Sequence, residues 1–168
     1  MAKASATDDG WTLMPSAAED IIELMTWFRS RDDVENWGGP EFRYPFTTEA
    51  FLEDINWGRT RTFSLTDTAD EFAAFGQLYK RKGRIHLARL ITHPDRRRQG
   101  IGQRLIRLLM AEGRRVYRSN EFSLFVLREN RPAYECYRSL GFVVSDYPDD
   151  TPYADVCYFL TLPAETQP

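Results

Sequence analysis

Cysteine is scarce in this chain: Cys136 and Cys157 are the only two in 168 residues, and they show no C-x-x-C spacing. Two thiols cannot hold a metal by themselves, and a disulfide framework needs more of them, so reduced thiols of a cytoplasmic protein are expected. No sign of charge dominates. The net charge of −3 argues against general affinity for nucleic acid. No apolar run reaches the roughly 20 residues of a membrane-spanning helix, and Met1 to Gly10 lacks the apolar stretch of a secretion signal. Internal repeats and composition breaks are missing too. The expectation is one domain over residues 1–168, with residues 1–10 and 163–168 as loose tails and no metal, nucleic acid or membrane as partner.

What is present suffices for a globule: 42% hydrophobic and 14% aromatic residues, enough to bury a real core. One stretch organises the rest, Leu90 to Leu105, L-I-T-H-P-D-R-R-R-Q-G-I-G-Q-R-L. An apolar β-rich run turns at His93-Pro94-Asp95, passes Arg96, Arg97 and Arg98, and enters a helical pattern after Gly100-Ile101-Gly102. A strand feeding a glycine loop at a helix N-terminus gathers backbone N–H groups and the positive end of the helix dipole, which suits an anion. Two familiar phosphate loops do not fit. A Walker loop needs Gly-Lys-Ser/Thr, and Gln103-Arg104 follows Gly102; a dinucleotide fingerprint needs Gly or Ala where Leu105 stands. The spacing that fits is Arg/Gln-x-x-Gly-x-Gly/Ala, over Arg97, Arg98, Gln99, Gly100, Ile101 and Gly102.

Along the chain, Trp11 to Met14 suggests a first strand. Ser16 is placed to cap a helix from Ala17 to Phe28, with Ile21, Leu24, Met25 and Phe28 on one face. Asp32 to Phe46 is rich in Gly, Pro and aromatics, so Trp37, Tyr44 and Phe46 are expected on or beside a loop. A short helix follows Thr47 or Thr48. Thr60–Leu65, Phe72–Tyr79 and Ile85–Thr92 form an antiparallel meander that runs into the glycine loop. After the helix from Ile101 come a buried strand, Phe122 to Leu127, and a helix capped by Asn130 with Pro132 in its first turn. Phe142–Ser145 and Val156–Leu162 supply two last strands.

A second motif lies in Leu124 to Phe142: Asn130, then Ala133-x-x-x-Tyr137, then Gly141-Phe142. With the loop motif before it, this order resembles the GNAT superfamily of acyl-CoA-dependent N-acetyltransferases. The resemblance covers nearly the whole chain, is strongest from Leu87 to Phe142, and is weak before Thr60. It implies an α/β (α+β) GNAT fold: a mixed, largely antiparallel sheet of about seven strands, splayed at its centre, with about four helices.

It also implies a reaction, transfer of an acetyl group from acetyl-CoA to a primary amine by direct attack in a ternary complex. An acyl-CoA-binding regulatory module without catalysis is the alternative. By resemblance, the loop from Arg97 through Gln103 holds the CoA pyrophosphate, the backbone of Leu90, Ile91 and Thr92 pairs with pantetheine, and Asn130 and Tyr137 complete the cofactor site. Tyr137 is placed to protonate the leaving thiolate. Counting back from Thr92 by twos puts Leu90, Ala88 and His86 on one strand face, and some family members carry a glutamate base where His86 stands. His86, Glu71, Glu129 or an ordered water are the candidate bases. Cys136 is a poor nucleophile candidate, since on a helix it points roughly 100° away from Tyr137. Trp37 and Tyr44 are expected at an acceptor pocket, with the acidic run Asp149, Asp150 and Asp155 favouring a cationic amine, small molecule or peptide N-terminus. A homodimer is compatible with all of this.

Overall fold

A computed structural model describes residues 3–164. Its frame is one eight-stranded sheet in the order β1-β2-β3-β4-β5-β6-β8-β7. The strands are β1 (Ala6–Asp8), β2 (Trp11–Pro15), β3 (Arg61–Thr66), β4 (Phe72–Arg81), β5 (Arg84–Thr92), β6 (Phe122–Leu127), β7 (Val143–Ser145) and β8 (Cys157–Leu162). Every neighbouring pair is antiparallel except β5 and β6, which run parallel and meet only at Ile85–Phe122 and His86–Ser123. Beyond His86 the two central strands part. The splayed sheet expected from the sequence is therefore present.

The strand count rises from seven to eight because the leader is not loose along its whole length: Ala6–Asp8 pairs with β2. Arg104 on the long helix α4 (Ile101–Tyr117) helps hold it there, donating to the Asp8 carboxylate at 2.6 Å. The expected tails at residues 1–2 and 165–168 lie outside the described residues.

Helices cover both faces. On one face α4 packs Ile101, Leu105, Leu108 and Leu109 against Ala74, Leu78, Leu87 and Leu124. Gly76 in β4 marks the closest approach, since a Cβ there would lie 2.7 Å from Leu109 and 2.9 Å from Leu90. The other face is covered by α1 (Ala18–Met25), α2 (Arg31–Gly38) and α3 (Thr48–Asp54). They enclose a second core of Ile21, Leu24, Phe28, Phe42, Phe51 and Phe75. α5 (Arg131–Ser139) lies beyond β6, with the Asn130 side chain accepting the Ala133 N–H as the motif predicted.

Two helix starts differ from expectation. α1 begins one residue late: the Asp20 carboxylate caps the Ala17 N–H, while Ser16 turns its hydroxyl to Ser64. α2 stands where a loop was expected. Ser30 accepts the Asp33 N–H and Asp33 accepts the Arg29 N–H, a reciprocal cap strong enough to start two turns before Gly38-Gly39-Pro40 ends them.

Candidate active site

The site follows from one irregularity in β5. Between Phe75–Ile91 and Gln77–Ala88 the β4–β5 register slips by a residue, so Arg89 and Leu90 together oppose Gly76. Arg89 takes a left-handed conformation at φ +50, a bulge that turns the strand. The slip changes the parity of side chains. Leu90 and Thr92 point to the α4 face, whereas Ala88 and His86 pair with Gln77 and Tyr79 on the opposite face. The expectation that Leu90, Ala88 and His86 share one face is therefore corrected, because a bulge between them breaks the two-residue period.

Where β5 and β6 diverge they open a cleft of about 290 Å³. Its β5 wall runs from His86 to Leu90; its far wall carries Phe125, Leu127, Asn130, Ala133 and Tyr137. The edge of β5 from Leu87 onward has no partner in β6, so its backbone groups, apart from the Arg89 carbonyl that Trp37 engages, are open to an extended ligand. Ile91 and Thr92 continue that edge toward the glycine loop.

The loop is an open cradle at a helix N-terminus, the kind of place where backbone N–H groups are available to an anion. Arg98 and Gly100 both adopt positive φ, at +65 and +75, and Gly100 precedes the first turn of α4. Nothing lies within 4 Å of where a Gly100 Cβ would be, and a Gly102 Cβ would meet only Thr92 Oγ1 at 3.6 Å and Cys136 Sγ at 3.9 Å. Arg97, Arg98, Gln99 and Gly100 are exposed, while Ile101 turns inward to anchor the helix. Arg96 is withdrawn from the cradle by a 2.8 Å ion pair with Asp67. Gln103 donates to Ser139 at 3.0 Å and so ties α4 to α5.

Tyr137 lines the cleft with its residue 8% exposed, and burial pushes its phenol above the ordinary value. His86 also lines it but is itself buried, with Nδ1 2.9 Å from the Ser123 hydroxyl. Burial, with the charges of Arg81 and Arg89, pushes His86 down to about 3. It is a neutral imidazole at physiological pH and a weak base. Glu71 and Glu129 do not line the cleft; the carboxylates that do are Glu35 and Glu41.

Trp37 reaches the cleft from α2, not from a loop. Its indole stacks on Phe51 at 5.6 Å between centroids, and its Nε1 donates to the Arg89 carbonyl at 2.7 Å. The expected partner Tyr44 is not in the cleft: its ring packs on Phe46 and its carbonyl accepts from Arg31. Nor does the acidic run face it. Asp150 is held by Lys82 at 2.6 Å, and Thr151, Pro152 and Tyr153 form the wall instead. Sequence reasoning missed Tyr79, Arg89 and Tyr147 as cleft residues. The alternation of β4 brings Tyr79 beside His86, but nothing in the residues around Arg89 signals the bulge.

Among the described residues, no group of His, Cys, Asp or Glu is arranged to hold a metal, and no helix is long and apolar enough to cross a membrane. Similar architectures are known. The spermidine N-acetyltransferase of Vibrio cholerae, solved with CoA and spermine, superposes with a TM-score of 0.72 at 16% identity, over 92% of this chain and 96% of that one. The ribosomal-protein-S18-alanine N-acetyltransferase of Escherichia coli gives 0.61 at 22% identity, over 94% and 96%. At these identities the likeness speaks for the fold alone. The sequence itself goes further: residues 31–142, most of the chain, match the Acetyltransferase (GNAT) family. With the split sheet, the bulge and the glycine cradle in place, the chain belongs to the GNAT family of acetyltransferases.

Proposed function

We propose that the protein transfers an acetyl group from acetyl-CoA to a primary amine by direct attack in a ternary complex. The observation that carries this reading is the free edge of β5, which opens on a cleft shared with Tyr137 and ends at the Gly100–Gly102 cradle. Acetyl-CoA is assigned to that arrangement from end to end. Its pyrophosphate takes the N–H groups around Arg98 to Gln103, with Arg97 and Arg98 adding charge. Pantetheine pairs with the β5 edge at Leu90, Ile91 and Thr92, and Asn130 and Tyr137 bound the thioester on the α5 side.

The amine nitrogen attacks the thioester carbon, the C–N bond forms, and the C–S bond breaks. A backbone N–H of the β5 edge takes the charge that gathers on the carbonyl oxygen. Tyr137 donates its proton to the departing sulfur, and the proton lost by the amine restores the phenol, so the exchange balances. Burial keeps Tyr137 protonated at neutral pH, the form an acid needs. His86 is better suited to accept a hydrogen bond from the amine or its water than to carry a full positive charge. A strong base is not required for a peptide α-amine, which at pKa near ~8 is about a tenth neutral at pH 7; a more basic amine presents less of its neutral form.

The test is release of CoA thiol from acetyl-CoA across a panel of primary amines. Amine-dependent release supports the reading. Tight CoA binding with no release under any amine would favour a non-catalytic acyl-CoA-binding module instead.

A further inference from the structure

The cleft holds a charged group that the acetyl-transfer scheme leaves unused. Arg89, thrown onto the acceptor side by the bulge, lines the cleft with its guanidinium largely sunk into the protein. One hydrogen bond orients it, from Nη1 to Gln77 Oε1 at 2.9 Å. Gln77 is fixed in turn by donating to the Ile55 carbonyl at 2.7 Å and to Thr62 Oγ1 at 2.9 Å. The Arg89 Nε is buried with no partner. Among the described residues no carboxylate lies within ion-pair distance of it, and Asp54, the acid whose charge reaches it, is already engaged by Arg43 at 2.8 Å.

A buried guanidinium cannot shed its proton, and its donors are costly to leave unused. Here the second positive charge of the region adds to the demand. Arg81 lies over the Phe125 ring, 5.0 Å from its centroid, and donates to Thr151. Two carboxylates also line the cleft, Glu35 on α2 and Glu41 just after it; Glu41 is engaged, accepting from the Tyr153 hydroxyl at 3.2 Å. Among the described residues Arg89 is the one cation lining the cleft, set among Tyr79, His86, Phe125 and Tyr147.

We infer that the acceptor is a small amine bearing a carboxylate, and that Arg89 binds that carboxylate as the specificity-determining residue. The inference rests on the acetyltransferase reading above and narrows its substrate class. Arg89 directly precedes the β5 edge at Leu90, where the thioester is expected, so the carboxylate and the nucleophilic nitrogen should be separated by few bonds. An amino acid has that form, with its side chain against the aromatic wall. A polyamine does not, since it would place further cations against Arg89 and Arg81.

The test compares the standard amino acids with their methyl esters and with spermidine as acceptors for acetyl-CoA, following CoA thiol release. Free amino acids should exceed their esters in kcat/KM on the order of 10–100-fold, the span a charge-assisted hydrogen bond supplies. Arg89→Gln should erase that preference while leaving the acetyl-CoA KM unchanged, and Arg89→Lys should restore part of it. Equal use of acids and esters by the wild type, or preference for spermidine, would overturn the inference and leave acetyl transfer standing. Turnover of no acceptor would overturn it as well, and an absence of acetyl-CoA binding would remove the acetyltransferase reading itself. If Arg89→Gln fails to fold, the acid-to-ester ratio of the wild type still decides.

Discussion

Tyr137 and Trp37 show how one side chain serves packing and the site together. Tyr137 is buried against Phe142, with ring centroids 6.4 Å apart, yet lines the cleft. Phenylalanine keeps that packing and removes only the proton. Tyr137→Phe should lower kcat by roughly 10²–10⁴-fold, the usual range for a general acid, with little change in the acetyl-CoA KM. Because burial raises the phenol, the basic limb of the wild-type pH profile should not begin near the ordinary tyrosine value of ~10 but above it. A Tyr137→Phe enzyme with wild-type kcat, measured where chemistry limits the rate, would show that the sulfur leaves without it. Trp37 is tied to the bulge by its Nε1 bond to the Arg89 carbonyl. Trp37→Phe should retain most of the aromatic packing, cost about 1 kcal/mol for the lost bond, and raise the acceptor KM more than that of acetyl-CoA. Equal changes in both KM values would assign Trp37 to the core alone.

At the level of elements, the proposed function assigns the cofactor half of the site to the β5–loop–α4 unit. Gly102→Val should weaken acetyl-CoA binding without unfolding the protein, because the space above Gly102 holds nothing closer than 3.6 Å. Unchanged affinity in that variant, measured by titration, would remove the cradle from the reading. Gly76→Ala should behave in the opposite way. Its methyl would press on Leu109 and Leu90, and overpacking of this kind costs about 1–3 kcal/mol, readable as a lower denaturation midpoint. This unit was the most legible part of the chain, since glycine spacing and apolar period are local properties written in consecutive residues, as is the Asn130 cap of α5. The acceptor half was less legible for a physical reason. The bulge at Arg89 depends on Gly76 and Leu90 meeting across two strands, and α2 depends on Ser30 and Asp33 outweighing the Gly-Gly-Pro that follows. The misplacement of Tyr44 and of the acidic run came from the same source, because neither an aromatic nor an aspartate shows in sequence which way its segment will turn.

For the molecule as a whole, His86 links the site to stability. It is buried in the second of the two residue pairs that join β5 to β6, held to Ser123 across the seam. Its folded pKa of about 3 lies below the unfolded value of ~6.5. Between these values the unfolded chain binds a proton that the folded one refuses, so stability must fall as pH is lowered through the window. The slope from one such group is about 1.4 kcal/mol per pH unit once the pH is well below 6.5. The carboxylates with shifted values, Asp54, Asp67 and Asp150, are all held below the ordinary aspartate value, and their contributions are lost only at lower pH than the onset for His86. The range from pH 6 to pH 4 is thus where His86 shows most clearly. Denaturant unfolding of the wild type should give a midpoint that drops steadily over that range. His86→Gln retains a hydrogen-bonding group toward Ser123 but cannot take up the proton, so its midpoint should fall by less, the unfolding free energies of the two proteins diverging by about 1 kcal/mol between pH 6 and pH 5. Parallel curves for the two proteins would mean that His86 is not kept neutral by the fold, and with it would go the argument that this imidazole is too weak a base to take the proton from the amine.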